Sequence, residues 1–196
     1  DTKVTKSLFL RIMARSFSED ALALEHRIAL EMFKQEQRGF VFDVAQGQRL
    51  YAELSQRKHD IEVSLQSTFP PTVIQLKTKT KEVPFNPASR QQIGERLQDL
   101  GWKPKAFTES GIPKVDETIL NEIDLPEAKL LSEYLMLNKR LGQLATGKQA
   151  WLKLEKEGKI HGRVNHMGAV TSRCTHSNPN MAQVPSVSAP FGNECR

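Results

Sequence analysis

The chain has 196 residues, 38% of them hydrophobic and 26% charged, with two cysteines and a formal net charge of +5. This length admits one domain or two unequal lobes, and the composition excludes a disordered tail or a collagen-like rod. No apolar run approaches the roughly 20 residues that span a bilayer, and two cysteines make no disulfide framework.

The N-terminus carries no signal-peptide cleavage pattern, so a cytoplasmic protein without membrane partners is expected. Cys174 and Cys195 sit in no paired spacing and read as free buried thiols. Lys and Arg balance Asp and Glu at 18 against 18 up to residue 126, whereas residues 127–196 hold ten basic residues against five Glu. The excess positive charge therefore belongs to the C-terminal third. A solvated basic face explains such an excess unless specific residues argue otherwise. The chain opens on Asp1 and stops at Arg196 in mid-pattern, and is read as a piece of something longer.

In chain order, Ser16 and Glu19 make a capping-box pattern for a helix that carries Leu24, Ile28 and Met32 on one stripe and ends at Gly39. Asp43 caps a second helix, with Leu50, Leu54, Ile61 and Leu65 at helical spacing until Phe69-Pro70-Pro71 stops it. These two are expected to pack as an antiparallel pair. Alternating Lys and Thr in "VIQLKTKTKEVP" predicts an exposed strand or hairpin arm. Asn86 as N-cap, Pro87 at the first helical position, an apolar face of Ile93, Leu97 and Leu100, and Gly101 as terminator predict a third helix. Asp116 caps a short helix through Leu120. Asp124 and Pro126 start the longest one, about 127–146, with Leu130, Tyr134, Leu137, Leu141 and Leu144 inward and Lys139 and Arg140 on its flank. A short helix from Trp151 to Lys156 ends at Gly158. There the period falls to two, and "KIHGRVN" and "GAVTSRCTH" predict an antiparallel hairpin around "NHMG". The fold class is mainly α with a small C-terminal antiparallel β-hairpin (α+β).

His161, His166, Cys174 and His176 fall within sixteen residues, but their spacing matches no zinc finger or ribbon, and they read as scattered imidazoles. A Cys-His nucleophilic pair lacks an apposed base and oxyanion donors. Two-metal phosphoryl transfer needs clustered carboxylates, and no Asp follows Asp124. The C-terminal stretch instead offers Thr171, Ser172, Arg173, Asn178, Asn180 and Gln183. Donors of this kind suit phosphate oxygens and base edges. From composition alone, an Asx turn around Pro179 is the favoured account of Asn178 to Asn180.

The segment from Gly158 to Arg196 resembles the end of the thumb and the first palm strands of A-family (DNA polymerase I-like) DNA polymerases, closest to the podovirus phage branch. Their motif there is near T-G-R-x-(several)-P-N-L-Q/A-x-I-P. This chain has Thr171, Ser172 and Arg173, then Pro179, Asn180, Met181, Ala182, Gln183, Val184 and Pro185. Upstream, "FNPASRQQIGERL", "GIPKVDETIL" and "EYLMLNKRLGQLATGKQAWL" are similar to successive thumb helices of the family, and "KQEQRGFVFD" to the start of the polymerase domain. "DTKVTKSL" is similar to the last motif of a proofreading 3′-5′ exonuclease domain, where Asp1 would be a metal ligand.

The resemblance implies residues 1–16 as the end of an exonuclease-like domain, 17–157 as helical thumb and start of the polymerase domain, and 158–196 as the first palm strands. It implies a DNA-directed DNA polymerase of phage replication that grips primer-template DNA. Lys139 and Arg140 would hold backbone phosphates, and Thr171, Arg173, Asn180 and Gln183 would lie along the minor groove near the primer terminus. Every base pair presents an acceptor there, so donors test pair shape without reading sequence, and carboxylates would repel the backbone. The catalytic Asp pair, the Mg2+ they bind, the dNTP site and the fingers would all lie beyond Arg196, so this chain holds no catalytic residue and no cofactor, and is expected to be inactive without the rest of the palm and the fingers. Ser172 replaces the family's Gly, and Ser188 stands where an Arg is common. The insertion that binds thioredoxin in one phage relative is absent between Pro71 and Phe85, so no thioredoxin clamp is expected. The alternative is a non-enzymatic helical accessory module with a polymerase-like docking surface.

Overall fold

The computed structural model describes residues 2–15, 18–75 and 80–196. Thr2–Met13 forms α1, a helix with no acidic residue in its first turn and no buried side chain, absent from the elements read in the sequence. Glu19–Arg38 forms α2. Its N-cap is Ser18, whose Oγ accepts from Ala21 N at 3.2 Å, while Ser16 lies outside the described residues. Glu19 and Asp20 complement the positive end of that helix. Ile28 and Met32 are half-buried, but Leu24 is exposed.

After β1 (Phe40–Val41) comes α3 (Val44–Thr68), capped as expected by Asp43, which accepts from Gln46 N at 2.8 Å. Leu50, Leu54, Ile61 and Leu65 are buried along it. With 25 residues it, rather than the later helix, is the longest. β2 (Thr72–Gln75) and β3 (Thr80–Val83) pair antiparallel, Thr72 opposite Val83, as the Lys-Thr alternation predicts.

α4 (Arg90–Asp99) begins after Ser89, not Asn86. Asn86 accepts from Ala88 N at 3.0 Å through its side chain and from Ser89 N at 2.9 Å through its carbonyl. The Asn-Pro pair thus makes a turn, with Pro87 at its second position, because the fixed proline φ suits either role. Ile93 and Leu97 are buried, but Leu100 is 46% exposed and caps the helix before Gly101. α5 (Glu117–Glu122) follows its cap Asp116. α6 (Pro126–Leu141) starts at Pro126 with no side-chain cap, so Asp124 does not cap it, and runs into one π turn, Gly142–Thr146. Leu131, Tyr134, Leu137, Leu141 and Leu144 are buried, and Leu130 only partly.

α7 is the single turn Trp151–Leu154. The expected helix to Lys156 gives way to a tight hairpin of β4 (Glu155–Lys156) and β5 (Lys159–Ile160). Glu157 and Gly158 have φ of 52° and 74°, the left-handed pair that a two-residue hairpin turn requires. β6 (Arg163–Asn165) and β7 (Thr175–Ser177) form the last ladder, and Met181–Gln183 a 3-10 turn.

The chain divides into two compact units. One is continuous, residues 43–153, and is helical: α3 and α5 both pack on α6 around Leu54, Leu65, Leu120, Leu131 and Leu137, each fully buried. Burying each such side chain is worth roughly 1.5–3 kcal/mol. Arg57 pairs with Glu133, and Lys58 Nζ donates to Asn138 Oδ1 at 2.9 Å, both across the α3-α6 contact.

The other unit joins residues 1–42 to 154–196. β5 lies between β1 and β4, and α2 rests on β6. His161 Nδ1 sits 2.8 Å from Glu36 O. Gly39 leaves space for that imidazole, since a Cβ there would lie 2.8 Å from its Cε1. His166 Nε2 lies 3.6 Å from Glu25 Oε2. α2 and α3 thus belong to different units, and α3 takes α6 as its partner in place of the expected pair. The fold is mainly helical with small antiparallel sheets, as the sequence implies. Among the described residues no helix is long and apolar enough to cross a membrane.

Candidate nucleic-acid interface

In the helical unit, Lys139 and Arg140 occupy the last turn of α6, where positive charge complements the helix end. Lys139 is exposed, and its ammonium has no partner among the described residues. Arg140 is half-buried and donates from Nη1 to Gln143 Oε1 at 3.1 Å. Lys58 reaches the same helix from α3, through Asn138 and over the Tyr134 ring at 5.2 Å. Eighty residues separate Lys58 from Asn138, so only the packing of α3 on α6 reveals this third cation.

Tyr134 is held above a tyrosine's ordinary pKa, first by burial and then by the Glu62 carboxylate. The neutral phenol is therefore the form the core accommodates.

In the other unit, the donors read from the sequence flank β7. The hairpin departs from the expected pattern. Gly168 N closes a turn on Asn165 O at 3.3 Å, placing a turn at "NHMG", but the return strand begins only at Thr175. Between them Ser172 N donates to Ala169 O at 3.0 Å with Ser172 at φ 58°. This second turn puts Thr171 and Arg173 on an exposed corner and not on a strand. The Arg173 carbonyl accepts from Ala169 N at 3.2 Å, while its guanidinium has no hydrogen-bond or ion-pair partner among the described residues.

Beyond the other end of β7, the Asn178-Pro179 peptide is cis. Asn180 caps the 3-10 turn, its Oδ1 accepting from Ala182 N at 3.1 Å, which leaves the carboxamide N–H groups as donors. Gln183 is exposed at the end of that turn. Arg173 and Asn180 are seven residues apart, so at most ~23 Å of chain separates them. Gly162 sets the seat of the turn: a Cβ there would meet Met181 Cγ at 2.7 Å and Pro179 O at 3.1 Å. Arg163, paired with Ser177 in the ladder but with its guanidinium exposed and without a partner among the described residues, adds a cation that the sequence reading did not single out. No Asp or Glu occurs from residue 158 to 193, so nothing in that stretch offsets these charges.

Neither Cys174 nor Cys195 forms a disulfide among the described residues, but Cys174 is exposed and Cys195 half-buried, correcting the expectation of buried thiols. Among the described residues no group of three or more His, Cys, Asp or Glu is placed to hold a metal ion. Asp1, the expected exonuclease-like ligand, lies outside the described residues.

The sequence profile of DNA polymerase family A matches residues 54–196. The chain belongs to DNA polymerase family A. It is similar to the DNA-directed DNA polymerases of Enterobacteria phage T3 and Escherichia phage T7, 35% identical to each over 245 residues that cover 92% of this chain and 35% of theirs. The chain thus spans about a third of the length of these relatives. A solved structure described as the POL domain of Pol1 from M. smegmatis in complex with DNA primer-template and dNTP shares the fold at a TM-score of 0.67 and 20% identity, over 88% of this chain and 28% of that one. The likeness to family A polymerases thus includes the helical unit and the β6-β7 corner together.

Proposed function

We propose that this chain is the DNA-holding part of a DNA-directed DNA polymerase of phage replication. The helical unit is its thumb, and the β6-β7 hairpin begins its palm. Lys139 and Arg140 contact backbone phosphates, while Thr171, Arg173, Asn180 and Gln183 donate to minor-groove acceptors of the newly made duplex. The catalytic carboxylates, the divalent metal ions and the dNTP site belong to the remaining palm and fingers of the same polymerase. The observation that carries this reading is the exposed Arg173, its guanidinium without a partner among the described residues, on an acid-free corner of a family A chain.

The chain should bind a 20-base-pair primer-template with log Kd rising linearly with log salt, about 0.9 per phosphate neutralised. Lys139→Ala should lower that slope by roughly one contact. A flat salt response would refute the grip. Arg173→Ala in the complete polymerase should weaken discrimination against mismatched primer ends. Unchanged extension together with unchanged discrimination would remove the minor-groove role.

A further inference from the structure

Within the helical unit, a cavity of about 600 Å³ opens between the α4-α5 connection and the α5-α6 connection, and none of the residues assigned above lines it. That size falls inside the ~300–1,000 Å³ of ordinary ligand sites. Its lining mixes three chemistries. Trp102 and Ile119 contribute apolar surface, Lys103, Lys105 and Lys114 contribute positive charge, and Glu122 and Asp124 contribute carboxylates.

Lys114 leans on Asp116 at 3.9 Å, but the side chains of Lys103, Lys105, Glu122 and Asp124 have no ion-pair or hydrogen-bond partner among the described residues. The indole N–H of Trp102 is likewise without an acceptor there. Charges of both signs beside one aromatic, with only Lys114 paired within the protein, describe a ligand carrying an anion, a flat ring and N–H donors at once. Duplex DNA does not fit, because its bases are stacked on one another and cannot lie on Trp102, and the two carboxylates would meet phosphates. An acidic peptide meets the same repulsion.

We propose that this cavity captures one unpaired nucleotide of single-stranded DNA. The base stacks on Trp102, the lysines hold the flanking phosphates, and the carboxylates accept from an exocyclic amino group. Cytosine and adenine carry that group and thymine does not, so the site prefers the first two. The duplex grip is a separate surface, and neither requires the other.

Binding of fluorescein-labelled dC, dA and dT 12-mers and of a blunt 20-base-pair duplex is measured by anisotropy, together with tryptophan emission. Trp102 is the responsive reporter, because Trp151 is 5% exposed. The dC and dA strands should bind more tightly than dT and quench the emission. Trp102→Ala should weaken them about 5- to 150-fold. The exposed-site variant Lys103→Ala/Lys105→Ala should lower the single-strand salt slope by about 1.4 and leave the duplex unaffected. Glu122→Gln/Asp124→Asn, also on exposed residues, should erase the preference over dT. Equal affinity for dC, dA and dT in the parent chain would overturn the proposal. So would equal weakening of duplex and single strand by the lysine variant. Failure of duplex binding alone removes the thumb assignment and leaves this site standing.

Discussion

Gly168 shows how little freedom the corner between β6 and β7 has. A Cβ on it would fall 1.8 Å from Thr175 Oγ1 and 2.7 Å from Thr175 Cβ. Thr175 is β-branched, stiff at χ1 and anchored opposite Asn165 in the ladder, so it cannot swing away. Gly168→Ala should cost about 1–3 kcal/mol of stability by urea unfolding. Primer-template binding should fall further than that loss explains, because the turn carrying Arg173 moves with it. A second residue-scale expectation concerns Tyr134. Its phenol is protonated in the fold at pH values where an unfolded tyrosine ionises, so its contribution is whole below pH about 10 and declines as pH rises through the folded value. Thermal unfolding between pH 9 and 11 should show the parent losing stability and Tyr134→Phe losing less of it. At this scale the sequence revealed which side chains donate, because side-chain type alone decides that. It did not reveal that Asn180 spends its oxygen on a cap, or that Ser172 adopts a left-handed φ, since both depend on the path of the backbone.

Among the elements, those with a capping side chain and a long apolar stripe were legible. α3 followed Asp43 and the Leu50-Leu54-Ile61-Leu65 spacing without change. Replacing Asp43 by Ala should cost about 0.5–2 kcal/mol, and Leu137→Ala at the α3-α6 contact about 2–5 kcal/mol, both read by denaturant midpoint. α4 was misplaced because Asn followed by Pro serves equally as a helix start and as the opening of a turn; the Ser89 hydroxyl, three residues on, took the cap. The β4-β5 hairpin was missed for another reason. Two-residue strands are too short to show a period, and its only local signal is the Glu157-Gly158 turn. Likewise β6 and β7, three residues each, pair only after a second turn that periodicity does not register.

At the scale of the molecule the apolar core is unevenly shared. Apart from Pro179 and Pro185, Ile160 is the one buried apolar side chain of the discontinuous unit among the described residues, whereas the helical unit holds Leu50 through Trp151. Residues 43–153 expressed alone should therefore fold cooperatively, with helical circular dichroism and a single unfolding transition. A chain ending at residue 157 should keep that transition while α2 becomes susceptible to protease, because β5 and β6 are then missing. The pairing of β1 with β5, Phe40 opposite Ile160, joins stretches made before and after the helical unit. On the ribosome, then, the helical segment can consolidate while α2 still waits for its strands. Slowing translation just before Lys159 would lengthen that exposed interval, and chaperones would have to shield the apolar face of the nascent helix until the strands emerge.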